Sequence, residues 1–350
     1  MKCAQMAQRF NVSGRLVTVN PIGSGNINDT FLAIFRTAFS EERFILQRIN
    51  QNVFSEPVKV MENIHRVTEF LSSKARDERE VVQLIPAKDG DYYVFANGEY
   101  WRMNNFLEGT LCLQKPESED DFYQSAIAFG RFQQLLSDFP VSLLHETIPN
   151  FHNTPDRFRQ FCEVIERNPV HRAEGVKSEI EFALKRKEEM ELLQKMRESG
   201  ELPERVTHND TKLNNVLFDA KSRTALCVID LDTVMPGLSL YDFGDSIRFG
   251  ASTTAEDEKD LSKVSIDLDM FRVYTRGFIK ACPSLTDNEI AMLPMGAKTM
   301  TYENAIRFLA DYIDGDKYFK INYPDHNLVR ARAQMKLLTE VEKAMPAMNA

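Results

Sequence analysis

The stretch 207–215 reads Thr-His-Asn-Asp-Thr-Lys-Leu-Asn-Asn and sets His208, Asp210, Lys212 and Asn215 in an H-x-D-x-K-x-x-N string. Two short β-type runs, 216–218 and 225–229, flank the polar turn 219–223, and the second closes on Ile229-Asp230-Leu231-Asp232. Phosphoryl transfer needs a carboxylate to accept or orient an acceptor hydroxyl, oxygen ligands for Mg²⁺ bridging the phosphates, and a cation near the transferred group. Here Asp210 can serve as the base, Lys212 as the balancing cation, and Asn215 and Asp230 as metal ligands. The competing reading is that Asp210 and Asn215 only cap turns, since so short a pattern also arises by chance. Its conjunction with the hairpin ending in I-D-x-D, and with a glycine-rich turn near the start of the chain, favours the chemical reading. A second string, Asp242-Phe243-Gly244, looks like a metal-binding triplet but lies beyond Pro236-Gly237, past the hairpin that must carry the metal carboxylate. Asp242 is expected to be structural, capping a following helix.

These loops need elements to hold them. The first hundred residues alternate β-type runs with turn chemistry: 16–19, the Gly/Asn/Ser stretch 23–28, 30–35 and 44–49. Val60, Ile64, Val67 and Leu71 repeat at helical spacing behind Pro57, predicting one helix packed on this sheet. Strands are expected at 81–85, 91–96 and 100–106, and a linker at 109–118. Beyond it the pattern is helical: Phe122, Ala126, Phe129 and Phe132 share a face, and Thr154-Pro155 opens a helix through Phe158, Phe161 and Ile165. A long charged helix over 176–198 is expected to face solvent, and the chain is mainly helical again from 289. The order predicts an α+β chain with a β-rich lobe, 1–108, followed by a mainly helical lobe, 109–350, that carries the hairpin.

A chain of 350 residues with 43% apolar side chains can bury a sizeable core and should hold two lobes or domains. A net charge of −9, from 52 acidic and 43 basic residues, argues against a protein whose main work is gripping nucleic-acid backbones. The five cysteines are scattered and none forms a C-x-x-C pair, so they read as reduced thiols. With no apolar leader and no uninterrupted apolar run long enough to span a bilayer, a cytoplasmic protein with no membrane partner is expected.

In these motifs the chain resembles the aminoglycoside phosphotransferase and choline kinase group. Over nearly its whole length, including 207–215, 229–233, 242–252 and 307–312, it is similar to the bacterial N-acetylhexosamine 1-kinases. The resemblance implies a two-lobed, protein-kinase-like fold with ATP as co-substrate and Mg²⁺ as cofactor. It also implies phosphorylation of GlcNAc or GalNAc at the anomeric O1, giving the sugar 1-phosphate.

The nucleotide would be held by the turn containing Gly23, Gly25 and Asn28, and by backbone groups near Asn105 and Leu107 between the lobes. Gln47 falls where a kinase strand normally carries a phosphate-pairing lysine. A neutral amide supplies no charge, which leaves Lys212, metal ions or Arg48 to compensate and Glu62 without a clear role. The resemblance places Asn26, Asp210, Asp232, Phe249, Arg307 and Tyr318 around the acceptor, with Asn26 standing where related enzymes carry a histidine. Phe249 and Tyr318 have ordinary packing as a rival role, and Arg307 an ion pair with Asp311 four positions on. An arginine in the wall suits a neutral sugar better than a polycation. Two alternatives remain open: a kinase of another small alcohol such as choline, homoserine or an aminoglycoside, and a nucleotide-binding pseudokinase module suggested by Gln47.

Overall fold

The computed structural model describes residues 2–23 and 27–350. The chain begins with α1 (Lys2–Ala7), β1 (Arg15–Pro21), β2 (Asp29–Arg36), β3 (Glu41–Arg48), α2 (Pro57–Ser72), β4 (Val94–Ala96), β5 (Glu99–Asn105) and β6 (Thr110–Cys112). Next come α3 (Glu119–Leu135), α4 (Thr154–Arg167), α5 (Lys177–Leu184), α6 (Lys187–Met190), α7 (Leu192–Glu198), β7 (Arg205–Thr207), β8 (Val216–Asp219), β9 (Ala225–Val228) and β10 (Met235–Gly237). It closes with α8 (Ser239–Gly250), α9 (Leu268–Ala281), α10 (Asp287–Ala291), α11 (Leu293–Asp314) and α12 (His326–Met348). Two compact units emerge: Met1–Leu111 with Asp138–Pro149 and Leu217–Met235, and Cys112–Ser137 with Asn150–Val216 and Pro236–Ala350.

The first unit is built on an antiparallel sheet of order β1-β2-β3-β5-β4. One face of it is apolar at every second residue, as a pleated strand requires: Ala33 and Phe35 on β2, Leu46 on β3, Trp101 and Met103 on β5, all buried with Met6 and Phe10. Arg102 lies between Trp101 and Met103 and so faces the other way, yet it is buried too, at 2% exposure. Helix α2 starts with Pro57 in its first turn and buries Val60, Ile64, Val67 and Leu71, the stripe its sequence predicts. A smaller sheet has the order β6-β8-β9.

In the second unit α11 packs against α8, α12 and α4, and α3 against α9. Ser118 caps α3 by accepting from the Asp121 N–H, ahead of the acidic first turn Glu119-Asp120-Asp121, and the helix buries Phe122, Ala126, Phe129 and Phe132. A Cβ on Gly244 would lie 2.3 Å from the Gly296 carbonyl oxygen, and one on Gly296 2.7 Å from that of Leu240. The glycine of the D-F-G string therefore lets α8 and α11 come together.

Three expectations change. Of the runs 81–85 and 91–96, only Val94–Ala96 is a strand. Ile85 and Gln83 do bond to β5, but Pro86 has no N–H to extend a ladder, and the chain turns at once through Ala87 and Gly90. The helix expected over 176–198 is three short helices rather than one, and its charges are not all given to solvent: Arg186 holds Glu342 and Lys298 bonds Glu189. The stretch expected as a linker contains β6. Among the described residues no helix is long and apolar enough to cross a membrane.

Candidate functional site

The loop after β7 is pinned from beneath by one buried carboxylate. Asp242, in the first turn of α8, accepts the Asn209 N–H at 2.7 Å, the His208 N–H at 2.9 Å and the Gln133 side-chain amide at 2.7 Å. Its backbone carbonyl takes the Thr211 hydroxyl at 2.6 Å. Asp242 is thus structural, as expected, but it anchors this loop instead of capping a helix. Burial outweighs these donors and the nearby His208, and raises its carboxyl above the ordinary value. His208 is fully buried, its ring edge-on to Phe129 and Phe132. Asn209 has φ of 65°, in the left-handed region that asparagine tolerates better than most residues. Gly237 leaves the room this turn needs, for a Cβ there would come within 2.3 Å of the Thr207 hydroxyl.

With its neighbours fixed, Asp210 is half-buried and meets Lys212 Nζ at 2.7 Å. Burial pushes its carboxyl up, but Lys212, His208 and Arg248 more than offset this and hold it below the usual carboxylate range. Lys212 is raised above its ordinary value by Asp210, against burial, and further by Asp245 and Glu256. The result is an ionised oxygen beside a persistent cation. Asn215 donates through Nδ2 to the Asp210 carbonyl at 2.8 Å, and its Oδ1, the atom a hard cation would take, is not used in that contact.

An open cleft in the same unit holds about 610 Å³ of empty space and is lined by Arg157, Arg307, Asp311, Asp314, Tyr318 and Phe319, among others. Arg307 makes no ion pair with Asp311. Asp311 instead accepts the backbone N–H groups of Lys317, Tyr318 and Phe319 at 2.9, 2.8 and 2.9 Å and the Asn327 amide at 2.9 Å, which fixes the loop that carries Tyr318. Asp314 is committed to Arg167 and Lys317. The Arg307 guanidinium sits 5.3, 5.9 and 5.6 Å from the ring centres of Phe151, Tyr318 and Phe319. Its nearest carboxylate, Glu303, is 3.9 Å away and is already bonded to His152 at 2.8 Å and Thr154 at 3.0 Å. Burial would raise Glu303, but His152, Arg307 and Arg157 bring it below its ordinary value. His152 Nε2 in turn lies 3.1 Å from the Asn209 carbonyl, so a buried chain of contacts joins the cleft to the residue before Asp210. Arg157 bonds the Phe151 carbonyl and Gln160, and its guanidinium is lowered from its ordinary value by burial and by the neighbouring Arg307 charge.

In the first unit Asp230 is exposed, with φ of 62°, at the end of the hairpin. Its neighbour Asp232 is 4% exposed and takes both Arg102 guanidinium nitrogens, at 2.5 and 2.7 Å, and the Asn28 amide at 2.9 Å. Against burial, Arg102 lowers the Asp232 carboxyl and is itself raised. Gln47 donates to Thr30 at 3.1 Å and accepts from Arg102 at 2.9 Å. Asn105 bonds residue 83 through its N–H and its side-chain oxygen, and Leu107 is buried with its carbonyl taken by the Thr110 hydroxyl. Gly23 has φ of 75° and open space around it; Gly25 and Asn26 lie outside the described residues. Phe249 is half-buried at the end of α8.

The structure thus brings Asp210, Lys212 and Asn215 together on one loop, and Arg307 and Tyr318 onto one cleft. It sets Asp232 inside an ion pair instead of on an open wall. Among the described residues no cluster of three or more His, Cys, Asp or Glu could hold a metal. Arg102, His152, Arg157 and Glu303 did not emerge from the sequence. Only Arg102 leaves a trace there, as a charge between two core-facing residues of a strand; the others take their meaning from partners far away in the chain.

Residues 18–264 match the APH family, described as the phosphotransferase enzyme family. Among solved structures, a microcompartment-associated aminopropanol kinase aligns with 17% identity and a TM-score of 0.68, covering 99% of this chain and 97% of its own. An aminoglycoside phosphotransferase from Alicyclobacillus acidocaldarius aligns with 10% identity and a TM-score of 0.62, covering 98% and 96%. A choline kinase from Cryptosporidium parvum aligns with 12% identity and a TM-score of 0.59, covering 99% and 96%. At these identities the solved structures establish the expected fold, a kinase-like chain with a β-sheet N-terminal lobe and a mainly helical C-terminal lobe. With the family match over most of its length, and a carboxylate–lysine–asparagine loop suited to phosphoryl transfer, the chain belongs to the APH phosphotransferase family.

Proposed function

We propose that this phosphotransferase uses ATP to phosphorylate N-acetylhexosamines, GlcNAc or GalNAc, at the anomeric O1. Asp210 accepts the proton of the anomeric hydroxyl as its oxygen attacks the γ-phosphorus and ADP leaves. Lys212, held protonated, balances charge on the transferred group. Asn215 and Asp230 are the residues that would supply oxygens to Mg²⁺, which when bound neutralises phosphate charge.

The choice of acceptor rests on the state of the cleft. An aminoglycoside needs open carboxylates, whereas Asp311 and Asp314 are already bonded and two guanidiniums line the wall. Choline or an amino alcohol needs a vacant aromatic cage. Here the space among Phe151, Tyr318 and Phe319 is occupied by the protein's own Arg307. What suits such a wall is a neutral ligand rich in hydrogen-bond acceptors with one apolar edge, and an acetamido sugar is one.

ADP release with Mg²⁺·ATP and a panel of GlcNAc, GalNAc, glucose, galactose, choline, homoserine, aminopropanol and kanamycin tests this, with the product identified by ³¹P NMR. Anomeric phosphate from the acetamido sugars alone is the expected result. Turnover confined to the cationic acceptors overturns the acceptor assignment, and no turnover with nucleotide still bound favours a pseudokinase.

A further inference from the structure

The strand expected to carry a phosphate-pairing lysine carries Gln47, and both ends of that amide are used inside the sheet, on Thr30 of β2 and Arg102 of β5. Glu62 of α2, the candidate partner for such a lysine, bonds His145 at 2.6 Å and Arg66 at 3.2 Å. The lysine–glutamate pair is therefore not merely short of a charge; both positions are committed elsewhere.

The missing cation stands one strand over. Arg102 lies directly opposite Gln47 in the β3–β5 register, on the sheet face away from the Trp101 and Met103 core. Its Nε bonds Gln47, and its two terminal nitrogens grip both oxygens of Asp232. Asp232 also receives Asn28, whose own oxygen accepts the Asn50 N–H at 2.9 Å. One buried guanidinium thus ties together β3 and Asp232, two residues after Asp230, and through Asp232 it reaches Asn28, the residue before β2.

We propose that Arg102 is a positioning residue that replaces the lysine–glutamate pair of other kinases, holding Asn28 and the Asp230 loop in the register that Mg²⁺·ATP requires. A buried ion pair adds little net stability over apolar packing but fixes geometry well, which suits this role. Arg102 acts through Asp232 and Asn28 and does not itself contact nucleotide. The inference rests on the nucleotide-kinase reading but not on the identity of the acceptor.

The test compares nucleotide affinity with and without metal, by calorimetry on the full chain. Arg102→Gln is expected to weaken Mg²⁺·ATP binding by roughly tenfold or more, and ATP binding in EDTA by less than about threefold. Arg102→Lys, which keeps the charge but cannot bridge both Asp232 oxygens and Gln47, should fold more readily and show the same split at smaller size. Wild-type Mg²⁺·ATP affinity in a folded variant overturns the proposal, as does an equal loss with and without metal, the mark of a merely structural role. Failure of the wild-type protein to bind Mg²⁺·ATP would instead remove the nucleotide-kinase reading beneath it.

Discussion

Asp242→Ala is the perturbation that best separates an anchor from a metal ligand. The carboxylate satisfies three donors, the backbone N–H groups of His208 and Asn209 and the Gln133 amide, in a region where Asp242 and His208 are fully buried. Leaving one buried donor unpaired costs about 1–3 kcal/mol, and neighbouring donors do not add fully. The expected loss is therefore on the order of 3–5 kcal/mol, the range found when one member of a buried network is removed. Asp242→Asn keeps the shape and one acceptor oxygen but turns an N–H₂ group toward at least one of these donors, so about half that loss is expected.

Urea unfolding followed by far-UV circular dichroism reads the stability change, with an unchanged m-value required for the comparison. Steady-state kinetics reads the second consequence. A loop released from its anchor misplaces Asp210, and displacements of about 1 Å can cost on the order of 100-fold in turnover. If Asp242→Ala unfolds at the wild-type urea midpoint with wild-type turnover, the anchoring argument is wrong.

Lys212→Met leaves Asp210 under its burial penalty without its main compensating charge. A carboxyl with a depressed folded value contributes stability above its unfolded pKa of about 3.9 and loses it as pH falls through the folded value; without Lys212 that window moves up. The acid limb of the kcat/KM profile should shift to higher pH, and an unmoved limb would mean that Lys212 does not tune Asp210. Asp311→Ala releases the backbone N–H groups of the 317–319 segment from the carboxylate that holds them, so acceptor KM should rise roughly tenfold, about 1.4 kcal/mol, while KM for ATP stays the same. A parallel rise in both constants would assign the effect to global loosening.

What was legible in the sequence was whatever local spacing records. The H-x-D-x-K-x-x-N string, the hairpin to Asp230, the buried stripe of α2 and the Pro155 start of α4 are all set by residues within a few turns of one another. The partners that give these residues their roles are not local. Asp242 reaches the His208 N–H across 34 positions, Arg102 reaches Asp232 across 130, and His152 reaches Glu303 across 151. No periodicity carries such pairs. The same limit explains 176–198, where composition favours one helix but Arg186 and Glu189 are drawn to partners on α12 and α11. It also explains Arg307, whose natural partner by spacing, Asp311, is taken by backbone donors further along the chain.

The distribution of charge points the same way. In a chain of net charge −9, three of the buried or half-buried cations in tight pairs lie close to the candidate site residues: Arg102 on Asp232, Lys212 on Asp210, and Arg248 on Asp245 and Glu256. Apolar residues of similar volume commonly stabilise a fold as well as such pairs do, so stability alone does not explain three of them on the segments that carry Asp210, Asp230 and α8. Each pair instead fixes a carboxylate in place. Arg157 and Arg307 differ: Arg157 donates to the Phe151 carbonyl and Gln160, and the carboxylate nearest Arg307, Glu303 at 3.9 Å, is already bonded to His152 and Thr154. The chain pairs its cations tightly where geometry must be held, and leaves these two arginines without a hydrogen-bonded carboxylate on the wall that the proposed acceptor would meet.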